Sequence, residues 1–339
     1  MRHTLRAAFR RSCILAGLIA LSAGPLCDPP ASHAQPTADQ VLTDVGLSPE
    51  DKQRVLGGEL VSADLSGVSD RDLAFAIAFL VKTTPDALSK TIVAGDLIAA
   101  DEQVKNYGVI SPAGSLTDFE KLDLSNQAAQ ALTSAQPGES ANFSASEFAE
   151  LAAVRGGTTY AVQQQLHRIL LARYHAYRAS GLGGISPYDR GGSTADVATD
   201  LRRAGRSALH LQKYMPGFYA MLADYPKATV PGMRESFHWL RYHIQGKETY
   251  VLSHLIIAPE GAARVVVQRQ YYASTGYNGE QAIAGFLPVH EGTVVVYGTH
   301  AFTDQVEGFG GSMKRRMGRR VLADQMKKLF EADRARIGK

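Results

Sequence analysis

Four runs near the end of the chain, at 236–244, 249–258, 264–273 and 293–302, are apolar over strand length and are separated by turn residues such as Pro259-Glu260-Gly261. They constrain the fold more than any other feature, because the C-terminal third must build a sheet. The chain then closes on a helix: Gly308-Phe-Gly-Gly311 leads to Ser312, an N-cap, and a helical stretch to about Arg336. Two more strand-like runs stand near the front, at 59–65 and 73–81. In the second, Leu73, Phe75, Ile77, Phe79 and Val81 share one face while Ala74, Ala76 and Ala78 share the other. A large apolar face backed by a small one points to burial on one side and close packing on the other. Tyr107–Ser111 is a further short strand.

Helix signals fill the remainder. Ser48 caps a helix with Pro49 at its first position and acids in the first turn, stopping at Gly57-Gly58. Thr84-Pro85-Asp86 starts another that runs to about Val93. From about 125 the texture is helical, with a capping box at Ser144-x-x-Glu147 and a long stripe of Val162, Leu166, Leu170, Tyr174 and Tyr177. Ser193-x-x-Asp196 opens the next helix, with Val197, Leu201, Ala204, Ala208 and Leu211 on one side. The expected organisation is a polar linker at 35–47 and one domain at 48–339. That domain is α+β, with a large helical insertion at about 125–233.

Residues 1–34 read as an export signal. A basic stretch containing Arg2, Arg6, Arg10 and Arg11 precedes an apolar run from Cys13 to Leu21, and Ser32-His33-Ala34 suits signal peptidase. The run is short for spanning a bilayer. Removing this segment turns the formal charge of +3 into a balanced one and takes away both cysteines, Cys13 and Cys27. The mature chain would then begin at Gln35, in the periplasm or outside the cell, with no disulfide, thiolate chemistry or cysteine-bound metal. A neutral exported chain is also a poor candidate for binding nucleic acid.

Two stretches carry a resemblance to a known fold. Ala74-Phe-Ala-Ile-Ala-Phe-Leu-Val-Lys-Thr-Thr-Pro-Asp-Ala87 is a strand ending in a Pro-Asp helix start, and Val294-Val-Val-Tyr297 leads to the terminal helix at Gly308–Arg336. In this order the chain resembles the helix-grip fold of the START and birch-allergen superfamily. It also resembles a group of exported bacterial proteins with a strand ending in Tyr-Ala-Ser, here Tyr272-Ala273-Ser274. The resemblance implies a curved antiparallel sheet gripping a long C-terminal helix, with a cavity between them for a lipid or other apolar small molecule. The helical block at 125–233 departs from the compact members.

Sequence motifs for common chemistries are absent: there is no G-x-S-x-G, H-E-x-x-H, C-x-x-C, P-loop or complete G-x-G-x-x-G. Polar residues on the C-terminal strands supply the candidates for reading a ligand. They are Arg241 and His243, which face together beside His238; His254, set among aliphatics; Arg269, with Gln270 and Tyr272, two apart and expected on one face; and His300. Neutral histidines of this kind can orient a ligand or shuttle a proton. Ser274 lacks a base placed by sequence, and a metal held by histidines of different strands needs a register the sequence does not give, so no cofactor is assigned. On the terminal helix, Lys314, Arg315, Arg316, Arg319 and Arg320 crowd the dipole-disfavoured first turns. They suit an anionic membrane surface, with Asp304 and Glu307 as alternative compensation. Met313, Met317, Val321, Leu322, Met326, Leu329 and Phe330 form that helix's apolar stripe. The leading functional expectation is binding of a lipid or apolar molecule. The alternatives are an enzyme using a cavity histidine as acid or base, and an envelope protein that binds a partner through its helical block.

Overall fold

Where the sequence alternates large and small apolar residues, the structure places a central strand. The structure, a computed structural model, describes residues 35–337 apart from Asp64, Asp96, Leu97, Ala100, Glu139, Ser140, Gln245 and Phe309. The export-signal reading of 1–34 lies outside the described residues. In chain order the elements are α1 (Ala38–Asp44), α2 (Pro49–Leu56), β1 (Val61–Ala63), β2 (Asp72–Val81), α3 (Pro85–Val93) and β3 (Val104–Ile110). A helical block follows: α4 (Asn126–Ser134), α5 (Ala145–Ala153), α6 (Thr159–Ser180), the small hairpin of β4 (Tyr188–Asp189) and β5 (Thr194–Ala195), α7 (Val197–Ser207), α8 (Leu209–Tyr214) and α9 (Pro216–Asp224). The last part is β6 (Arg234–Ile244), β7 (Lys247–Glu260), β8 (Ala263–Ala273), β9 (Gly279–Val289), β10 (Gly292–Phe302) and α10 (Gly311–Ile337).

The fold is α+β. Eight strands form one sheet in the order β1-β2-β10-β9-β8-β7-β6-β3, and each neighbouring pair is antiparallel. Helices cover both faces. One face, here the block face, carries Phe237, Trp239, Leu252, Ile256, Val265 and Val267 under the helical block. It continues as Ala78, Leu80, Val294, Val296 and Leu287 under α1 and α2. The opposite, terminal face carries Phe75, Ile77, Phe79, Val266, Phe286, Val295 and Tyr297, packed against Leu88 and Ile92 of α3 and Leu322, Met326 and Phe330 of α10. The two faces of β2 thus divide as its alternation dictates.

Three local differences from the sequence reading have physical causes. The 35–47 segment is not a plain linker: Thr37-x-x-Gln40 is a capping box that starts α1, and Val41, Leu42 and Leu47 are buried. Helix α7 is capped by Asp196, which accepts from Thr199 N, while Thr194-Ala195 is spent in β5, so Ser193 caps nothing. The strand β9 was missing from the sequence reading because Gly279, Gly285 and Pro288 look like turn residues. Here they are tolerated within the ladder: Gly285 pairs with Val265 and Val296. Close approach explains Gly108 on edge strand β3, since a Cβ there would lie 2.6 Å from the indole of Trp239, whose Nε1 donates to Asp118 O at 2.7 Å.

The burial of β2 makes a direct test. Ile77 is fully buried on the terminal face, so Ile77→Asp leaves a carboxylate without a partner and is expected to cost about 3 kcal/mol or more. Ala76→Ser, on the other face, is expected to cost far less. Urea denaturation of the two variants that gave equal midpoints would refute the assignment of faces.

Candidate functional site

The densest polar arrangement lies in the sheet itself. Four neighbouring strands each place one polar side chain at the same level of the block face: His300 on β10 opposite Gln281 on β9, Gln281 opposite Arg269 on β8, and Arg269 opposite His254 on β7. Ala74 and Phe237 close the row at its two ends. All four polar residues are buried, Arg269 and His254 completely. Such a row is costly unless every group is bonded, and the helical block supplies most of the partners.

Arg269 donates from Nε to Gln281 Oε1 at 2.9 Å, from Nη1 to Tyr177 OH at 3.1 Å and from Nη2 to Leu222 O at 3.0 Å. Its partners are therefore neutral dipoles from β9, α6 and α9. Tyr177 OH lies 3.1 Å from His254 Nδ1, and His254 Nε2 lies 2.9 Å from Glu235 Oε2. Arg178 donates to the other oxygen of Glu235 and, at 2.6 Å, to Tyr225 OH. These contacts fit one direction of donation, from Arg269 to Tyr177, from Tyr177 to His254, and from His254 to Glu235. Burial holds His254 at about 4, with Arg269 and Arg178 also opposing its charge. Glu235 goes the other way, to about 2: its bonds to His254 and Arg178 outweigh the upward push of burial. Full burial beside two arginines decides for a neutral imidazole next to an ionised carboxylate that Arg178 balances.

At the other end, His300 Nδ1 lies 2.7 Å from Asp72 Oδ2, and His300 Nε2 lies 3.2 Å from Ser207 Oγ at the end of α7. Asp72 Oδ2 also accepts from Val68 N at 2.7 Å.

Of the residues singled out by sequence, His254, Arg269 and His300 come together in this row; Gln281, equally placed, went unnoticed because its strand was unrecognised. Arg241 and His243 sit further along β6, where Arg241 reaches Asp123 at 3.1 Å and His243 is exposed. Gln270 and Tyr272 do not share a face, contrary to the two-residue rule. A bulge at Tyr271 pairs Tyr272 with Leu252 and Gln270 with Ser253, so the alternation slips. Tyr272 lies under the guanidinium of Arg173, 4.3 Å from its ring centre, whereas Gln270 accepts from Tyr277 OH on the terminal face. Ser274 accepts from Tyr250 N at 2.9 Å.

The terminal face has a different character. Between β2, β10, β9, β8 and β7 on one side and α3 and α10 on the other lies a cavity of about 110 Å³. Its walls include Phe79, Leu88, Ile92, Ala284, Phe286 and Phe330, and its polar side chains are His238, Gln268 and Tyr297. None of the seven sequence-selected residues lines it. Burial alone lowers His238 to about 4, so its ring is neutral at neutral pH. The alternation of β6 carries the signal that finds it: His238 is one residue from Trp239 and so faces away from it.

The basic start of α10 divides in two. Arg315 is taken by Asp70 at 3.3 Å, while Lys314, Arg316 and Arg320 are exposed and Arg319 half-buried. Asp304 and Glu307 do not compensate them, being paired with Arg71 and, for Asp304, with Arg190. The apolar stripe divides as well, for Met313, Met317 and Val321 are exposed. Among the described residues no helix is long and apolar enough to cross a membrane, and no group of three or more potential ligands could hold a metal ion. The chain matches no family model, no curated protein and no solved structure.

The neutral histidines set a pH dependence. A histidine depressed to about 4 refuses protons that the unfolded chain accepts from about pH 6.5 downward, so its contribution to stability is full above that value and is lost as the pH falls towards 4. Asp200, raised to about 6 by burial, works in the opposite direction over the same window. His238→Phe removes one histidine from this balance. The loss of stability between pH 6.5 and 4 is expected to shrink by about 2–3 kcal/mol in that variant; an unchanged loss in urea titrations would contradict a neutral His238.

Proposed function

We propose that this chain is an exported protein that binds a lipid or another apolar small molecule between its sheet and its C-terminal helix, in an arrangement of the helix-grip type. The observation that carries this reading is the cavity on the terminal face, mostly apolar, with His238, Gln268 and the Tyr297 hydroxyl as its polar groups, of which His238 and Gln268 make no side-chain hydrogen bond within the described residues. Burial of apolar ligand surface supplies the affinity, and the two unspent polar groups read the head. A neutral imidazole and an amide suit a hydroxyl, ester or protonated carboxyl. No cation lines the walls, so a phosphate has no counter-charge there. At about 110 Å³ the space holds one acyl or ring segment, since whole drug-sized ligands take roughly 300 Å³ or more.

The outer face of α10 supports the membrane side of the same reading. Met313, Met317 and Val321, at helical spacing of four, stand among Lys314, Arg316, Arg319 and Arg320, which is the composition of a helix lying on an anionic surface. The helical block supports the partner-binding alternative less well, because its apolar side is spent on the sheet and it leaves Tyr160 and Leu209 exposed singly.

Displacement of a fluorescent fatty alcohol from the purified chain tests the cavity. Ala284→Leu places a larger side chain in its wall and is expected to weaken binding at least about tenfold with the fold intact. His238→Leu is expected to lose roughly 1–3 kcal/mol of affinity for an alcohol. His254→Leu, on the other face, is expected to lower stability and leave affinity unchanged. If no apolar compound displaces the probe from the wild type, or if Ala284→Leu binds as well as wild type, the carrier reading fails.

A further inference from the structure

The row on the block face ends in three side chains that the lipid reading does not use. Asp72 opens β2, His300 lies on the neighbouring β10, and Ser207 comes from α7 above them. Asp72 and His300 are buried, at 2% and 6% exposure, while Ser207 is exposed. Asp72 Oδ2 is held by His300 Nδ1 at 2.7 Å and by Val68 N at 2.7 Å, which fixes the imidazole with its hydrogen on Nδ1. Nε2 is then an acceptor, directed at Ser207 Oγ 3.2 Å away. The hydroxyl also lies 2.8 Å from Ala204 O, so its hydrogen has a resting acceptor and a reacting one. Beside His300 in the row, the buried Nε2 of Gln281 has no partner among the described residues, and a Cβ at Gly205 would stand 3.6 Å from it.

From this geometry we infer that Ser207, His300 and Asp72 form a nucleophilic acyl-transfer site, a serine activated by a histidine that a buried carboxylate orients. Because Ser207 stands at the surface, the substrate class is an ester of a short acid, arriving from solvent. In the first step Ser207 Oγ forms a bond to the ester carbonyl carbon and its proton passes to His300 Nε2. The C–O bond to the alcohol then breaks, and the alcohol leaves with that proton. Water attacks the acyl-serine, again giving a proton to His300. The acyl–Oγ bond breaks, the acid is released and Ser207 recovers its proton. Asp72 orients the ring and stabilises the imidazolium without taking a proton, and the unspent Gln281 amide is a donor adjoining the site. The site does not rest on the lipid reading, since it lies on the opposite face of the sheet.

The test is covalent labelling of the purified full chain with a fluorophosphonate probe, mapped by peptide mass spectrometry, alongside hydrolysis of p-nitrophenyl acetate. One adduct is expected, on Ser207. Ser207→Ala, at an exposed position, is expected to keep the melting temperature and abolish both labelling and hydrolysis. His300→Gln is expected to slow labelling about 100-fold. Should that variant not fold, the wild type decides alone: its adduct is expected on Ser207 in the folded chain and is expected to disappear when the chain is unfolded in urea before labelling. No adduct, an adduct that persists in Ser207→Ala, or equal labelling of the unfolded chain would overturn the assignment. Loss of fatty-alcohol binding in any of these variants is not expected.

Discussion

Arg269 is the residue on which the arrangement of layers depends. Its guanidinium is completely buried and, among the described residues, has no carboxylate at ion-pair distance. A charge in that position is tolerated only if its N–H groups find acceptors, and the three it finds come from β9, α6 and α9. The sheet and the helical block are therefore joined by a group that neither can satisfy alone. Opening the block would strand a cation, whereas parting two aliphatic surfaces would forfeit only contact area. The chain of contacts from Arg269 runs through Tyr177 and His254 to the carboxylate of Glu235.

This also explains why the stacking around it is so dense. Tyr177 must hold its hydroxyl between Arg269 and His254, and its ring is fixed by stacking on Tyr271 at 4.0 Å and on Tyr225 at 5.7 Å. Tyr271 faces the block in step with Val267 and Arg269, and the bulge turns Tyr272 to the same side. The irregularity in β8 thus has a use: two successive tyrosines reach one layer, one against Tyr177 and the other beneath Arg173. The Arg173–Glu147 pair, 2.5 Å apart and nearly buried, repeats the strategy further along the block with a carboxylate close at hand.

Much of this architecture was legible in the residues, and the parts that were not share a cause. The alternation of Phe75, Ile77 and Phe79 against Ala74, Ala76 and Ala78 assigned both faces of β2 because period two survives there without interruption. The limits of β6, β7, β8 and β10 were legible to within two residues because each is an apolar run bounded by turn residues. Glycine and proline hid β9, and with it Gln281. One extra residue at Tyr271 broke the count that placed Gln270 beside Tyr272. His254, Arg269 and His300 could be singled out as polar residues in apolar strands, yet their meeting depends on the register of four strands, which no local pattern carries. Ser207 and Asp72 gave no signal: one is a helix end and the other a strand start, and the packing of α7 over β10 together with the pairing of β2 with β10 brings them to the same imidazole.

The terminal face follows a different logic, because its cover is loosely held. Among the described side chains of α10 past its first turn, Phe330 is the one buried below a tenth, and its ring meets Phe79 at 5.0 Å and Tyr297 at 5.1 Å. Near the start, Gly318 rests on Leu73 and Arg315 reaches Asp70. Leu322 and Met326 are only half-buried between these ends. Detaching one aromatic side chain costs about 1.5–3 kcal/mol of apolar burial, a cost that an acyl chain offsets by covering the same rings. The helix therefore sits where a ligand can compete with it. The block face could not serve in this way, since displacing its helices would leave Arg269 without acceptors. The physical division of the sheet, with fixed polar contacts on one side and apolar ones on the other, is the reason the proposed ligand is assigned to the terminal face.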